Sequence, residues 1–281
     1  MAWPPPTIQA PPEGDRVPEG SGHGEPAAPA PVTGAYDAPG MQPLPDAQAP
    51  AWLSRPELLV GSVLGGRYRI TAVLGLGPMG IACEGESPRG RQVTLKVIPK
   101  PAELSAERFA WLVREALALA HFDHAHVVPS TDFGSLEDGS AFISRSRVPG
   151  APLRSLLLRQ GALPLRRALS IAQQIAGALA AAHAQDICHG RLKPENVILQ
   201  AASPAEDLVR VVDFGLSRLP LGAGSAIPEA RQLELRSRMY LPGADLVGAA
   251  HASSLALDVY SLGVLLFEMI AGRLPFALDE A

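Results

Sequence analysis

The sequence predicts an α+β fold with two lobes: a small antiparallel sheet with one helix over residues 66–147, then a mostly helical lobe over residues 148–281. The β-branched, strand-like segments come first and the long helical patterns follow them. Strands and helices do not alternate regularly, which argues against a parallel βαβ sheet. Of the 281 residues, 47% are apolar, which is enough for a sizeable core.

Residues 1–55 are predicted to form a disordered or polyproline-like tail. Thirteen of the 28 prolines fall within residues 1–50, where they are mixed with Gly, Ala and Glu. Such a segment has few large apolar side chains to offset the entropy lost on ordering. We interpret the tail as a linker, with a Pro-rich docking ligand as the alternative.

The composition excludes several classes of protein. A net charge of −4 lacks the basic excess that a broad nucleic-acid surface needs. Two cysteines, 105 residues apart, exclude a disulfide scaffold and a C-x-x-C site, and they favour a reducing compartment. The start has no secretory signal pattern, and no window of about 18 apolar residues predicts a membrane span. We therefore expect a cytoplasmic protein.

The first lobe is predicted to begin with two strands around a glycine-rich loop. Residues 68–74 favour one strand and residues 93–98, rich in β-branched side chains, favour a second. Between them, residues 75–80 read Gly-Leu-Gly-Pro-Met-Gly. Residues 103–121 then carry apolar groups at helical spacing, which predicts the helix of this lobe.

The second lobe is predicted from three segments. Residues 164–184 favour a long helix rich in Ala and Leu, and residues 208–212 favour a buried strand. Residues 256–271 are apolar almost all round, which is typical of a helix buried inside a domain.

Gly75, Gly77 and Gly80 form a G-x-G-x-x-G pattern, which alone does not separate one phosphate-binding fold from another. In a dinucleotide-binding fold these glycines open a helix. Here Pro78 lies inside the loop, and the chain leads through a turn into the strand that carries Lys96. We interpret the segment as a hairpin lying over phosphates, with an ordinary Gly-rich turn as the alternative.

Lys96 is one of three lysines and lies at the centre of the second predicted strand. Its ammonium group can bind the α- and β-phosphates of a nucleotide, provided that a carboxylate holds it in place. Glu115, on the predicted helix, is the candidate. Taken alone, such a pair is also consistent with two solvated surface groups.

The central motifs carry a family resemblance. Residues 189–196 read His-Gly-Arg-Leu-Lys-Pro-Glu-Asn, and residues 213–215 read Asp-Phe-Gly directly after a predicted strand. Together with residues 123–128 (Asp-His-Ala-His-Val-Val) and 258–263 (Asp-Val-Tyr-Ser-Leu-Gly), these motifs occur in the order found in protein kinases. From about Gly61 to its end, the chain resembles a bacterial protein kinase of the eukaryotic-like Ser/Thr type.

The resemblance implies a role for each matching residue. Lys96 would bind ATP phosphates and pair with Glu115, and Lys193 would reach the γ-phosphate. Asp213 and Asn196 would hold Mg²⁺, for which their hard oxygen atoms are suited.

The remaining matches concern the hinge and the supports of the cleft. Ser146 and Val148, on the strand that joins the lobes, would bind the nucleotide. Asp258 would tie the central motif to the buried helix. The regulatory stack of side chains would comprise Leu119, Phe214 and His189.

The sequence departs from the family pattern at the catalytic base. The His-Arg-Asp motif reads His-Gly-Arg here, so that Arg191 stands where an aspartate would take the proton of the substrate hydroxyl. Guanidinium cannot accept a proton. Because a positioned base contributes on the order of 10²–10⁴-fold in rate, we expect Arg191 to be inactive in this role.

Further departures lie around the cleft. Arg145 aligns near the gatekeeper position, where a buried unpaired charge would cost several kcal/mol. Thr94 and Ala82 replace apolar residues around the adenine. The activation segment, residues 216–240, contains serines such as Ser237 but no threonine, and residues 241–244 lack the glutamate of the usual Ala-Pro-Glu end.

The last helices of the family's second lobe have no match in this sequence. We therefore expect part of the helix at residues 256–271 to be uncovered, and either a protein partner or a missing C-terminal segment to cover it.

Two rival sites remain open at this point. His121, Asp123, His124 and His126 could form a metal cluster, and the adjacent Cys188 and His189 could form a thiol dyad. Neighbouring residues on an extended segment point to opposite faces, which argues against the dyad.

Two functions of different class follow from the sequence. The first is a pseudokinase that binds ATP and Mg²⁺ and acts in signalling by binding, because Lys96, Lys193, Asn196 and Asp213 are kept while the base is lost. The second is a weakly active Ser/Thr protein kinase, since phosphoryl transfer depends largely on positioning and electrostatics.

Overall fold

The computed structural model describes residues 50–119, 121–203, 206–216, 219, 228–242 and 254–276. Residues 1–49 of the predicted tail lie outside this range. The prediction that the tail extends to residue 55 is wrong, because helix α1 (Ala51–Ser54) belongs to the first lobe. Leu53 is only 1% exposed and Trp52 packs beside it, so that these two side chains supply the apolar anchor that the proline-rich part lacks.

The first lobe is built on an antiparallel sheet with the strand order β1-β2-β3-β4-β6-β5. Its strands are β1 (Val63–Leu64), β2 (Tyr68–Gly77), β3 (Gly80–Glu86), β4 (Gln92–Ile98), β5 (Ser130–Ser135) and β6 (Ala141–Ser146). Val93, Leu95 and Val97 of β4 are buried in the lobe core. Side chains alternate along a strand, so that Thr94 and Lys96 lie on the opposite face.

The glycine-rich segment is a tight hairpin, as the sequence predicts. Strands β2 and β3 stay paired up to Gly77 and Gly80, with Pro78 and Met79 at the turn. The segment therefore does not open a helix, which excludes the dinucleotide-type arrangement.

Helix α2 (Ala106–Leu119) packs against β5 and β6. It begins three residues later than predicted because the Ser105 hydroxyl accepts a hydrogen bond from the backbone N–H of Arg108. Its buried face consists of Phe109, Val113 and Ala116.

The second lobe contains helices on a small sheet of order β7-β8-β9. Its elements are β7 (Ala151–Pro152), α3 (Leu153–Gln160), α4 (Leu165–His183), a 3₁₀ turn (Pro194–Asn196), β8 (Val197–Ser203), β9 (Glu206–Val211), α5 (Pro228–Arg238) and α6 (Ser254–Ala271). The predicted long helix, buried strand and apolar helix correspond to α4, β9 and α6. Helix α4 packs on both α6 and β9, and this contact forms the lobe's core.

Helix α6 is buried on one side only. Leu265 and Met269 lie in the core, whereas Val259 is 65% exposed and Ile270 is also exposed. The expectation that part of this helix is uncovered is therefore confirmed. Of the helices in the described ranges, none combines the length and the apolar character that crossing a membrane requires.

Candidate functional site

Residues 189–196, here called the central loop, are anchored by Asp258 of α6. The fully buried Asp258 carboxylate accepts hydrogen bonds from the backbone N–H groups of His189 (2.8 Å) and Gly190 (2.6 Å). His183 Nε2 lies 2.9 Å from the same carboxylate. The predicted role of Asp258 is confirmed: it fixes the start of the loop to a buried helix.

Stacked rings support the loop from the side of the first lobe. The rings of His189 and Phe214 lie 4.7 Å apart, and Phe122 meets Phe214 edge-on at 5.1 Å. Burial lowers the pKa of His189, whose Nε2 lies 3.0 Å from the carbonyl oxygen of Val212. The His189–Phe214 part of the predicted stack is present, whereas the side chain of Leu119 lies outside the described part of the chain.

Arg191 occupies the loop position of the missing base. It follows Gly190, whose φ of 68° favours glycine, and its backbone N–H donates to Nδ1 of His189 at 3.3 Å. Burial lowers the pKa of the Arg191 guanidinium, and the negative charge of Glu234 opposes that effect. An arginine remains protonated in a protein, so this position carries a positive charge.

Asp213 lies at the centre of the charged groups. One of its carboxylate oxygens is 2.5 Å from Nζ of Lys96, and the other is bound by Nη1 of Arg145. Burial alone would raise the pKa of Asp213, but the charges of Lys96 and Arg145 hold it well below its usual range. The carboxylate is therefore ionised and already paired with two side-chain cations. Its backbone φ of 69° lies in the left-handed region, which aspartate tolerates better than most residues.

The strand register explains why these two cations meet. Thr94 of β4 is paired with Arg145 of β6, and Lys96 lies two residues beyond Thr94. Residues paired across strands share a face, so that Lys96 and Arg145 are diagonal neighbours on the face opposite the lobe core. Asp213 thus compensates the charge of Arg145, which would be costly if it were buried without a partner.

The expected Lys96–Glu115 ion pair is wrong for this structure. Lys96 pairs with Asp213, and Glu115 is exposed and forms no ion pair within the described ranges. Helix α2 turns its Phe109, Val113 and Ala116 face to the sheet, which directs Glu115 away from it.

Lys193 and Asn196 are held by contacts within the second lobe. Lys193 Nζ donates to the Ser237 hydroxyl of α5 at 2.8 Å, and Asn196 Nδ2 donates to the carbonyl oxygen of Arg191 at 3.0 Å. Burial lowers the pKa of Lys193 to about 8, and the charges of Lys96 and Asp213 also act on it. Lys193 therefore lies within electrostatic reach of the Asp213 cluster.

The expected Mg²⁺ site does not fit these contacts. Both carboxylate oxygens of Asp213 are bound by cations, and the two positive charges oppose the approach of a divalent cation. A Mg²⁺ site needs hard oxygen ligands in a region that favours positive charge. Asp213 and Asn196 as arranged do not meet that requirement.

The glycine-rich hairpin has two kinds of glycine. A Cβ at Gly80, whose φ is 131°, would lie 2.0 Å from the carbonyl oxygen of Val97, so the fold itself requires glycine there. A Cβ at Gly75 meets nothing within 4 Å, and one at Gly77 meets only an ordinary contact at 3.5 Å. Packing within the lobe therefore does not explain Gly75 and Gly77, and close approach of a ligand to the backbone would.

The end of β6 leads into the second lobe at Ser146 and Val148, of which Ser146 is exposed and Val148 half-buried. Between them, Arg147 forms a surface ion pair with Glu84 at 2.8 Å. These residues therefore lie on the connection between the lobes, where the resemblance puts them.

At both rival sites, histidine ring nitrogens contact backbone groups. His126 Nδ1 lies 3.1 Å from the carbonyl oxygen of Val209, and Nδ1 of His124 accepts the backbone N–H of His126. Both ring nitrogens of His189 contact backbone groups, so His189 is not placed as a base for Cys188.

Sequence reasoning missed a buried ionic cluster behind the central loop. Arg154 of α3 binds Glu195 at 2.9 Å, Glu268 at 2.7 Å and the hydroxyl of Tyr240 at 2.6 Å, and Tyr240 donates to Glu268. The one available signal was a glutamate, Glu268, in an otherwise apolar helix, because such a charge needs a buried partner.

Comparisons of the sequence with known proteins give matches over most of the chain. The protein kinase domain family matches residues 68–281. The chain is 32% identical over 229 residues to Serine/threonine-protein kinase pkn3 of Myxococcus xanthus, an alignment that covers 79% of this chain and 41% of that protein. It is 33% identical over 228 residues to Serine/threonine-protein kinase PknA of Mycobacterium tuberculosis, covering 79% and 51%.

A third relative, Serine/threonine-protein kinase pkn2 of Myxococcus xanthus, is 36% identical over 215 residues, covering 76% of this chain and 25% of that protein. The chain thus spans between a quarter and about half of the length of these curated relatives.

Proposed function

The chain belongs to the protein kinase family, in its bacterial, eukaryotic-like Ser/Thr branch, and from that premise we propose that it is a pseudokinase: a kinase-like signalling domain that binds ATP and transfers phosphate poorly or not at all. The observation that carries the proposal is Arg191 at the position of the catalytic base. The state of Asp213, paired with two side-chain cations, supports it further.

The groups around the cleft favour ATP as the ligand. Protein kinases use ATP with Mg²⁺, and this chain keeps the glycine hairpin, Lys96 and the connecting strand. Gly75 and Gly77 leave room for phosphates against the backbone. Lys96 and Lys193 supply positive charge from both lobes, and Ser146 and Val148 border the region of the adenine.

The same residues explain why transfer would fail. An incoming hydroxyl needs a positioned acceptor for its proton, and Arg191 offers only N–H donors. Its guanidinium can attract a γ-phosphate, so that the site would hold the ligand rather than turn it over.

One observation favours the second candidate, a weakly active Ser/Thr kinase. Glu234 of α5 is buried, and its charge reaches Arg191. Arg238 binds the Glu234 carboxylate at 2.9 Å, but that arginine is exposed and can move away. Glu234 thus supplies a carboxylate close to Arg191, which stands at the position of the catalytic base.

A signalling role also needs a surface for a protein partner. An apolar groove of about 520 Å³ runs between α4 and α6, where Leu169, Val259, Leu262 and Leu266 are among the lining residues. The lining contains no charged side chain, and its walls are two helices. We propose that a protein partner or a further C-terminal segment covers this groove, contacting Leu169 and Val259.

A γ-phosphate transfer assay tests the proposed function. The unmodified chain and the Asp213→Ala variant are incubated with labelled ATP and a Ser/Thr peptide library, and transfer to peptide and to the chain itself is measured. We expect both proteins to give the same background rate, because Arg191 at the base position cannot accept a proton.

Robust transfer by the unmodified chain that Asp213→Ala abolishes would contradict the pseudokinase proposal. In that case the Glu234→Gln variant identifies the base. Loss of transfer in this variant, but not in Glu137→Gln at an exposed turn, assigns the role to Glu234.

A further inference from the structure

Arg145 places a guanidinium in the cleft at a position that the family resemblance leaves to an uncharged residue. It comes from β6, directly opposite Thr94 of β4, and it binds one oxygen of Asp213. The side chains of Arg145 and Asp213 are 18% and 10% exposed, so their contact is largely shielded from solvent. In water-poor surroundings such a charge pair is stronger than on a surface.

The cluster around this contact has an excess of positive charge. Lys96 and Arg145 carry two positive charges and Asp213 carries one negative charge, which leaves a net charge of +1. Lys193 lies within electrostatic reach of Lys96, Asp213 and Arg191, and Glu195 balances part of its charge. A cleft with this balance attracts a polyanion and repels a divalent cation.

The guanidinium can serve Asp213 and a ligand at once. Arginine carries five N–H donors in a planar fork, and Nη1 is the group that binds Asp213. For Nε and Nη2, no partner is found among the residues that the structure describes. These donors have the planar geometry that suits phosphate oxygens.

We propose that the Arg145 guanidinium takes the place of the metal ion, so that this cleft binds nucleotide polyphosphate without a divalent cation. The inference rests on the ATP binding of the proposed function, and it specifies which positive charges neutralise the phosphates. Asp213 then holds Arg145 and Lys96 in position instead of a metal, and the phosphates bind to the two side chains.

A titration with ATP tests this inference without relying on any variant. Binding to the full chain is measured by calorimetry, once in EDTA and once in excess Mg²⁺. We expect the two dissociation constants to agree within about threefold, because the cations that neutralise the phosphates belong to the protein.

The Arg145→Met variant sharpens the test. In EDTA it should bind ATP at least about tenfold more weakly, since a charge-assisted hydrogen bond is lost. Excess Mg²⁺ should restore part of the affinity, because one oxygen of Asp213 is then free for a metal. The matched control is Arg147→Met, which removes an arginine two residues away that pairs with Glu84 on the surface.

Each outcome decides between the claims. Binding by the unmodified chain in Mg²⁺ but not in EDTA would overturn the inference and leave ATP binding intact. Binding that is metal-independent and unchanged in Arg145→Met would also overturn it. Absence of binding in both buffers, together with tighter binding in Arg145→Met, would show that Arg145 blocks the cleft, which contradicts both the inference and the proposed ATP binding.

Discussion

Two charge clusters of this domain are both largely shielded from solvent, but their net charges have opposite signs. In the second lobe, one cation, Arg154, is surrounded by Glu195, Glu268 and the hydroxyl of Tyr240. In the cleft, one carboxylate, Asp213, is surrounded by Lys96 and Arg145. The first cluster has an excess of negative charge and the second an excess of positive charge.

The surroundings of the clusters explain what the difference means. The Arg154 cluster joins α3, α6 and Tyr240, which lies two residues after the end of α5, so its members fix parts of one lobe to each other. The Asp213 cluster joins the sheet of the first lobe to the segment after β9. A positive excess between two lobes is suited to an anionic ligand, whereas a closed internal network is suited to holding the fold together.

The largest effect on stability is expected from Arg154→Met. The substitution leaves the buried Glu268 and the half-buried Glu195 without their cation, and breaking such a network costs about 3–5 kcal/mol. Urea unfolding followed by circular dichroism measures the loss. The control is Arg147→Met, which removes an arginine that pairs with Glu84 on the surface.

For the control we expect a loss of about 1 kcal/mol or less. If the two variants lose similar stability, the Arg154 cluster does not hold the second lobe together as proposed.

The Asp213→Asn variant should have a smaller effect on stability and an opposite effect on binding. Asparagine tolerates the left-handed backbone at this position, so the backbone can stay in place. Removing the carboxylate takes away the negative charge beside the phosphates, and in EDTA the affinity for ATP should rise about tenfold. A titration calorimeter measures the change.

A site in which Asp213 holds Mg²⁺ predicts the reverse. If Asp213→Asn weakens ATP binding, and does so only when Mg²⁺ is present, the carboxylate acts through a metal. The claim that Asp213 holds Lys96 and Arg145 instead of a metal is then wrong.

The smallest effect is expected from Glu115→Ala. Because Glu115 is exposed and does not pair with Lys96, its loss should change the free energy of unfolding by less than about 0.5 kcal/mol. The affinity for ATP should also stay the same. A clear loss of affinity would mean that α2 rotates and brings Glu115 to Lys96 when nucleotide binds.

Local patterns in the sequence predicted much of the fold. The strand at residues 93–98, the helix at residues 164–184 and the hairpin of the glycine-rich segment were all found, because each follows from residue types within one segment. The role of Asp258 was also predicted, through the family resemblance. Leu53 and its helix were missed because the proline-rich composition before them dominated the reading of residues 1–55.

The charge pairs could not be predicted in the same way. Arg145 and Asp213 are 68 residues apart, and the sequence shows only that a buried arginine needs a partner. The partner follows from the register of β4 and β6, which brings Arg145 beside Lys96. The misplaced Glu115 has a similar cause, since helical spacing predicts the helix but not how it is rotated relative to Lys96.

The most direct test of this account is a double-mutant cycle between Arg145 and Asp213. The free energy of unfolding is measured for the unmodified chain, Arg145→Met, Asp213→Asn and the double variant, without nucleotide or metal. We predict a coupling energy of about 1–3 kcal/mol, as for charged groups in direct contact within a shielded site. A coupling energy below about 0.3 kcal/mol would mean that Arg145 does not hold Asp213, and the proposed substitute for the metal would then be excluded.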